Sequence, residues 1–408
     1  MADAVDVVIA GGGPAGATLA ILLGRAGLRV DVFEARRFPR EKPCGEGIMP
    51  AGVAVLERLG LRDTVGGRPL AAVRYHGFGL TAESPFSPGG RAQALAQRRL
   101  RLDDTLLHAA RNTPGVRVFE EAPVEGAAIA HGRAVGLRVG GEVRRGALVV
   151  GADGLDSPVR RSLGLDGRAR GPGRVGVRMH FRLATGRSIG RGDRLEIFIG
   201  RGYELYAAPL PGGELLLAAL GDHGALTGGA RATLDRWIAA EPVLREALDG
   251  ATPLTAPTGR ASVTRRARAG FAPGAVLLGD AASATDPLTA GGIAHALVTA
   301  EHLAAAVPGY LAGGDAHLAE FDRARRRLLR AHDRLTRALV FVVRHPTLAH
   351  ATLLGMRAAP FVMRRLVAIA AGVAIQPPAI VASNSAPALA ISSATDQNAT
   401  LSQRAGSP

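Results

Sequence analysis

Three glycines in GxGxxG spacing, Gly11, Gly13 and Gly16, follow the apolar run VDVVIA, and an acid, Glu34, closes a second apolar run. Those residue types at that spacing suit the binding of a dinucleotide. The run fits a strand buried in a parallel sheet, and the glycines permit a tight turn with close approach of backbone to a pyrophosphate. A helix starting directly behind them points its first N–H groups at the phosphates, an interaction worth about 0.3 to 2 kcal/mol. Pro14 suits an early helix position, where the missing N–H has no partner to lose. Glu34 lies where a carboxylate accepts a hydrogen bond from a ribose hydroxyl. The alternative, a purely structural glycine turn, leaves the acid and the flanking elements unexplained.

The elements around this unit follow from periodicity. Residues 36–52, RRFPREKPCGEGIMPAG, are dense in Pro, Gly and charge and read as a loop; AVLERLG then reads as a short helix. Residues 98–111 carry Leu102, Leu106 and Ala109 at helical spacing, and the stretch up to Val139 alternates like a β-meander. ALVVGADG (147–154) again sets a buried strand before a glycine turn. From 175 to 220, GVRMHFRL, RLEIFIG, YELYAAPL and GELLLAAL predict a second, antiparallel sheet. A helix is expected over 230–248, a strand over 275–279, a helix over 291–307 and a long basic helical stretch over 316–344. The Ala/Ser/Pro/Asn-rich residues from 376 onward lack periodicity and are expected to be disordered.

Composition narrows the function classes. The 408 residues carry a net charge of +15, but Lys42 is the only lysine and the arginines are spread along the chain. With 4% aromatic residues and no zinc-finger or RNA-binding signature, no specific nucleic-acid partner is expected. Cys44 is the only cysteine, which excludes an intrachain disulfide and a cysteine-based metal cluster, and no metal site is expected. MADAVDVVIA leads into the first strand without a signal-peptide pattern, and charge and proline interrupt the apolar stretch LVAIAAGVAI, so a cytoplasmic location is expected. The basic, apolar helices after 316 fit packing on the core, or peripheral contact with a membrane. Oligomeric state is open.

GGGPAG (11–16), GADG (151–154) and GDAASATDPLTAGG (279–292), in that order, resemble the flavoprotein superfamily of para-hydroxybenzoate hydroxylase-like monooxygenases, geranylgeranyl reductases and flavin-dependent halogenases. The resemblance covers roughly residues 1 to 310. It implies FAD as cofactor, held by Gly11, Gly13, Pro14, Ala15, Gly16, Glu34, Ala35 and Arg36 at one end. Asp153 and Gly154 follow in the second motif, and Asp280, Pro287, Gly291, Gly292 and Ile293 in the third. RxxLDxxL, beginning at Arg99, matches the place where an arginine approaches the cofactor; a solvated helix face fits the same pattern. The Cys-Gly loop EKPCGEGIMPAG looks most like the geranylgeranyl reductase and related hydroxylase branch, which places Cys44, Gly45 and Glu46 beside the flavin. A merely buried cysteine is the alternative there.

The implied fold is α/β, α+β overall: a Rossmann-like FAD-binding domain interleaved with an antiparallel substrate sheet and followed by C-terminal helices. The expected division is 1–70, 91–165 and 271–310 for the cofactor, 71–90 and 166–270 for the sheet, and 311–375 for the helices. The expected chemistry is hydroxylation or epoxidation of a hydrophobic small molecule, in secondary metabolism, through a flavin hydroperoxide with NAD(P)H as reductant. The alternative is reduction of isoprenoid double bonds. Trp237 is the only tryptophan, so the halogenase WxWxIP segment is missing, and GYELYAAPLPGG departs from the reductase YxWxFP segment. Tyr203 and Tyr206 are expected on a sheet roofing the flavin, or as core-filling tyrosines. His180, sharing a strand face with Arg178 and Arg182, and His295, just after Gly292, are candidates for acid/base work, or satisfied polar residues.

Overall fold

The computed structural model describes residues 5–167, 174–222, 224, 228–261 and 264–373. The tail expected to be disordered lies outside them. Strand β1 (Val5–Ala10) turns into α1 (Pro14–Arg25), and the chain returns through β2 (Val30–Phe33). A long loop leads to α2 (Pro50–Arg58) and to a hairpin, β3 (Ala72–Gly77) and β4 (Leu80–Pro85), that belongs to a different sheet. Helix α3 (Arg99–Arg111) brings the chain back to β5 (Val116–Phe119) and the meander β6 (Val124–Ala130), β7 (Arg133–Val139) and β8 (Glu142–Gly151). Strands β9 (Arg174–Arg182), β10 (Arg194–Ile199), β11 (Tyr203–Leu210) and β12 (Glu214–Asp222) rejoin the hairpin. Helices α4 (Gly229–Ala240) and α5 (Pro242–Leu248) follow, then β13 (Ala275–Leu277) and α6 (Gly292–Gly313). Helices α7 (Ala316–Leu328), α8 (Arg330–Val343), α9 (Pro346–Ala358) and α10 (Pro360–Ala371) complete the described chain.

The first sheet has the parallel order β13-β8-β1-β2-β5. Its central strand is buried on both faces: Val7 and Ile9 pack with α1, α2 and α6, whereas Val8 and Ala10 pack toward the meander. That two-sided burial is why β1 reads as a continuous apolar run. The carboxyl ends of β1, β8 and β13 therefore meet at one edge, where open α/β sheets bind ligands.

The second sheet runs β9-β12-β11-β10-β3-β4. It is antiparallel except between β10 and β3, which pair parallel because the hairpin arrives from a distant part of the chain. Register fixes its faces: His180 pairs with Leu216, Tyr206 with Ala218, Ile197 with Tyr206, and Tyr75 with Ile197. All of these look toward the first domain and α8 to α10, while Leu205, Leu217 and Phe198 on the outer face pack against α4 and α5.

Three helix expectations change in detail. The segment 230–248 is two helices, because Pro242 cannot donate into an ongoing helix and starts a new one. The basic stretch likewise breaks at Leu329, and α6 continues past Pro308 to Gly313.

Candidate functional site

Each glycine of the first turn has its own steric reason. Gly11 has φ +96°, and a Cβ there would lie 2.5 Å from the Ala152 carbonyl oxygen. A Cβ on Gly16 would sit 2.0 Å from the Gly11 carbonyl oxygen, so this glycine sets how closely α1 approaches the turn. Gly13 is open by contrast, its nearest neighbour being the Arg40 guanidinium 3.9 Å from a notional Cβ. It is also the N-cap of α1, with no side-chain cap and no acid in the first turn. An open, uncapped helix start fits an anionic diphosphate.

Glu34 is buried against this turn. One carboxylate oxygen accepts from Gly12 N at 2.8 Å and the other from Arg36 N at 3.0 Å. About four acceptor directions exist on a carboxylate, so capacity for a hydroxyl remains. Ala35 and Arg36 are exposed beside it.

The second glycine turn follows β8. Asp153 Oδ2 accepts from Val159 N at 3.1 Å, while Oδ1 is buried with no partner among the described residues. Burial pushes this carboxyl up, against the hydrogen bonds from Ser157 and the backbone. Gly154, next to it, has φ +81°. Asp280, in the turn after β13, is half-buried and has no hydrogen-bond or ion-pair partner among the described residues.

The third motif forms a loop over the start of α6. Asp286 Oδ1 accepts from Leu288 N at 3.1 Å, Pro287 opens a short turn, and Ala290 takes φ +52°. Gly291 caps α6, and Gly292 and Ile293 start it, with no side-chain cap and no acid in the first turn. Space over Gly292 is open, with nothing within 4 Å of a notional Cβ. His295, half-buried, packs edge-on to His332, ring centroids 4.1 Å apart, and burial together with His332 holds it well below the usual histidine range. A Cβ on Gly291 would meet His332 Nε2 at 2.4 Å, so the two neutral imidazoles back the loop.

The Cys44 loop is stitched into the gap between the two domains. Cys44 Sγ accepts from Glu46 N at 3.3 Å and also engages the Arg99 guanidinium, which chelates Asp103 through two bonds of 2.7 Å. Gly45 is exposed, with nothing within 4 Å of a notional Cβ. Glu46, at φ +55°, turns inward to His180 Nε2 at 2.8 Å and accepts from Arg99 N at 3.2 Å. Glu41 bridges Arg178 at 2.6 Å and Arg98 at 2.5 Å. His180 is therefore a fully buried partner of Glu46, with Thr255 Oγ1 at 3.3 Å from its other nitrogen, rather than a group facing open space. Tyr206 donates to the Leu288 carbonyl at 3.0 Å and so ties the sheet to the third motif. Tyr203 lies on the opposite face, stacked on Trp237 at 4.7 Å with its hydroxyl 3.2 Å from Glu241, which corrects its placement over the site.

Lys42 of the Cys44 loop also enters the site. Its Nζ lies 3.7 Å from a notional Cβ on Gly154, and it has no hydrogen-bond or ion-pair partner among the described residues. Burial and the neighbouring Arg99 and Arg40 hold its ammonium below the usual lysine range, with Asp280 and Asp103 acting the other way. Lys42→Gln is expected to weaken FAD binding about tenfold, the loss of one hydrogen bond to a charged group, as read by flavin fluorescence titration.

A narrow apolar crevice, partly open to solvent, lies beside the third motif. Tyr75, Ile197 and Tyr206 of the sheet, Leu288 of the loop, and Val343 and Leu353 of the cap helices form its walls. Among the described residues no group of His, Cys, Asp and Glu could hold a metal ion, and no helix is long and apolar enough to cross a membrane.

Residues 4–195 match a family model described as FAD binding domain. Menaquinone reductase of Mycobacterium tuberculosis (strain H37Rv) is 40% identical over 172 residues, 40% of each chain. The 6-methylpretetramide 4-monooxygenase of Streptomyces rimosus is 33% identical over 174 residues, 39% of this chain and 41% of its own. The matches thus span about 40% of the length of these curated relatives. A flavoprotein/dehydrogenase from Cytophaga hutchinsonii shares the fold at a TM-score of 0.79 and 22% identity, over 91% of this chain and 93% of its own.

Proposed function

We propose that this chain, which carries an FAD binding domain over residues 4–195, is an FAD-dependent monooxygenase that hydroxylates or epoxidises a hydrophobic small molecule of secondary metabolism, with NAD(P)H as reductant. The observation that carries the reading is the apolar crevice between the inner sheet face, Leu288 of the loop over α6 and the cap helices, beside the motifs that fit the cofactor. When bound, the cofactor supplies storage of two electrons and transfer of one oxygen atom from O₂.

The residues present fit that group. The open start of α1 suits the diphosphate and Glu34 the ribose; Asp153 Oδ1, Asp280 and Lys42 offer unused polar atoms between the three motifs. The amides at the start of α6 suit negative charge on a reduced ring. Glu46 and His180 hold the Cys44 loop against the sheet, and the apolar walls of the crevice suit a hydrophobic substrate. FAD-loaded protein is expected to consume O₂ and NAD(P)H together, faster with an apolar phenol or alkene present. Turnover of neither, in protein retaining FAD, overturns the reading.

The similarity to menaquinone reductase favours a second reading, an FAD-dependent reductase, for which we propose an isoprenoid double bond as the group reduced without O₂. Saturation of such a bond under anaerobic conditions distinguishes it.

In either case the cap helices fit an anionic bilayer. Phe341, Leu354, Phe361 and Val362 are exposed on α8 to α10, with Phe361 68% accessible, and Arg357, Arg364 and Arg365 have no ion-pair partner among the described residues. Apolar groups beside unpaired arginines complement anionic headgroups, at about 1 kcal/mol per arginine. Changing Arg364 and Arg365 to serine is expected to lower co-sedimentation with phosphatidylglycerol vesicles by roughly thirtyfold in affinity. Equal binding to phosphatidylcholine vesicles contradicts this contact, and concentration-dependent dimerisation through the same residues would reassign it.

A further inference from the structure

The apolar crevice contains one carboxyl group. Period-two alternation along β11 turns Glu204 and Tyr206 to the inner face, beside Ile199 of β10, and Glu204 is only 2% exposed. Its Oε2 accepts from Arg174 at 2.6 Å, and the same guanidinium reaches Asp286 Oδ1 at 2.9 Å. Two carboxyl groups thus share one cation, Glu204 in the crevice wall and Asp286 in the third motif outside it. Glu204 Oε1 has no hydrogen-bond partner among the described residues and is not wholly enclosed. Burial, which Arg174 only partly offsets, pushes this carboxyl up to about 7, so both its donor and its acceptor form are within reach near neutrality.

A half-paired carboxyl in an apolar wall makes a specific demand. A ligand that brings one oxygen to Glu204 satisfies it, whereas a pure hydrocarbon leaves it unpaired and desolvated. We propose that Glu204 is the specificity-determining residue of this crevice, selecting apolar ring or chain molecules that carry a single hydroxyl or carbonyl oxygen at the end reaching β11. The inference rests on reading the crevice as the substrate site. Arg174 and Asp286 are positioning residues: they hold Glu204 in register with the loop over α6.

The test uses FAD-loaded protein and two probes of nearly equal size, 1-naphthol and naphthalene, with affinities measured by equilibrium dialysis. The protein is expected to prefer 1-naphthol by about tenfold. Glu204→Leu is expected to abolish the preference by weakening 1-naphthol while naphthalene still binds, and Glu204→Gln, which keeps a donor and an acceptor, to retain it. Should Glu204→Leu fail to fold, the unaltered protein and Glu204→Gln still decide the matter. Binding of both probes without preference, or a preference that survives Glu204→Leu, overturns the role of Glu204 and leaves the crevice as a site. Binding of neither probe overturns the crevice reading as well.

Discussion

Gly16→Ala is expected to lose FAD binding by at least about a hundredfold, because the added carbon has nowhere to go. Its nearest neighbours would be the Gly11 carbonyl oxygen at 2.0 Å, then the Gly11 carbonyl carbon and Ile9 Cγ2, each at 3.2 Å. The closest of these is backbone, inside a turn that is itself pressed against Ala152, so no side-chain rotation relieves the clash. Helix α1 must move away from β1 and carry Gly13 and the helix start with it. The same overpacking should cost about 1–3 kcal/mol of stability, measurable by denaturant unfolding. Gly355→Ala provides the contrast: it sits within α9 with nothing within 4 Å of a notional Cβ, so it should be neutral or stabilise slightly. Equal FAD affinity in Gly16→Ala and the unaltered protein would contradict the packing account.

Glu46→Ala is expected to destabilise the protein by about 1–3 kcal/mol, the usual cost of leaving a buried hydrogen-bonding group unsatisfied. Glu46 and His180 are both fully buried, 2.8 Å apart, and join the Cys44 loop to the second sheet. Removing the carboxylate strands the imidazole and also leaves Arg99 N without its acceptor. Replacing both residues by alanine should cost less than the sum of the single changes, since neither partner is then left alone. Denaturant unfolding of the four proteins measures the coupling. FAD affinity should fall with Glu46→Ala, because the loop holding Lys42 and Cys44 loses its anchor. Strict additivity would mean that the pair does not hold the loop.

The parts of this site that sequence makes legible are local. The strand, glycine turn and acid of residues 5–34 each show their structural reason within a few residues, and the apolar strands before Asp153 and Asp280 do the same. What sequence hides are pairings across the fold. Glu46 meets His180 across 134 positions and Arg174 meets Asp286 across 112, distances over which periodicity carries no information. Lys42 left one trace, being the only lysine in an arginine-rich chain. Tyr203 and Tyr206 were separable in principle: an interval of three along a strand sends two side chains to opposite faces, and only Tyr206 reaches the loop. The same alternation places Glu204 with Tyr206, but its exposure to an apolar crevice needs the cap helices in place.

The most direct test of the proposed oxygen transfer is isotopic. FAD-loaded protein is reduced by NADPH without oxygen, ¹⁸O₂ is then admitted with an apolar phenol, and the product is weighed by mass spectrometry. Flavin absorbance is expected to bleach with NADPH and return with O₂, and the product to gain one ¹⁸O atom. A product that gains two hydrogens before any oxygen is admitted, with no ¹⁸O incorporated afterwards, would contradict oxygen transfer.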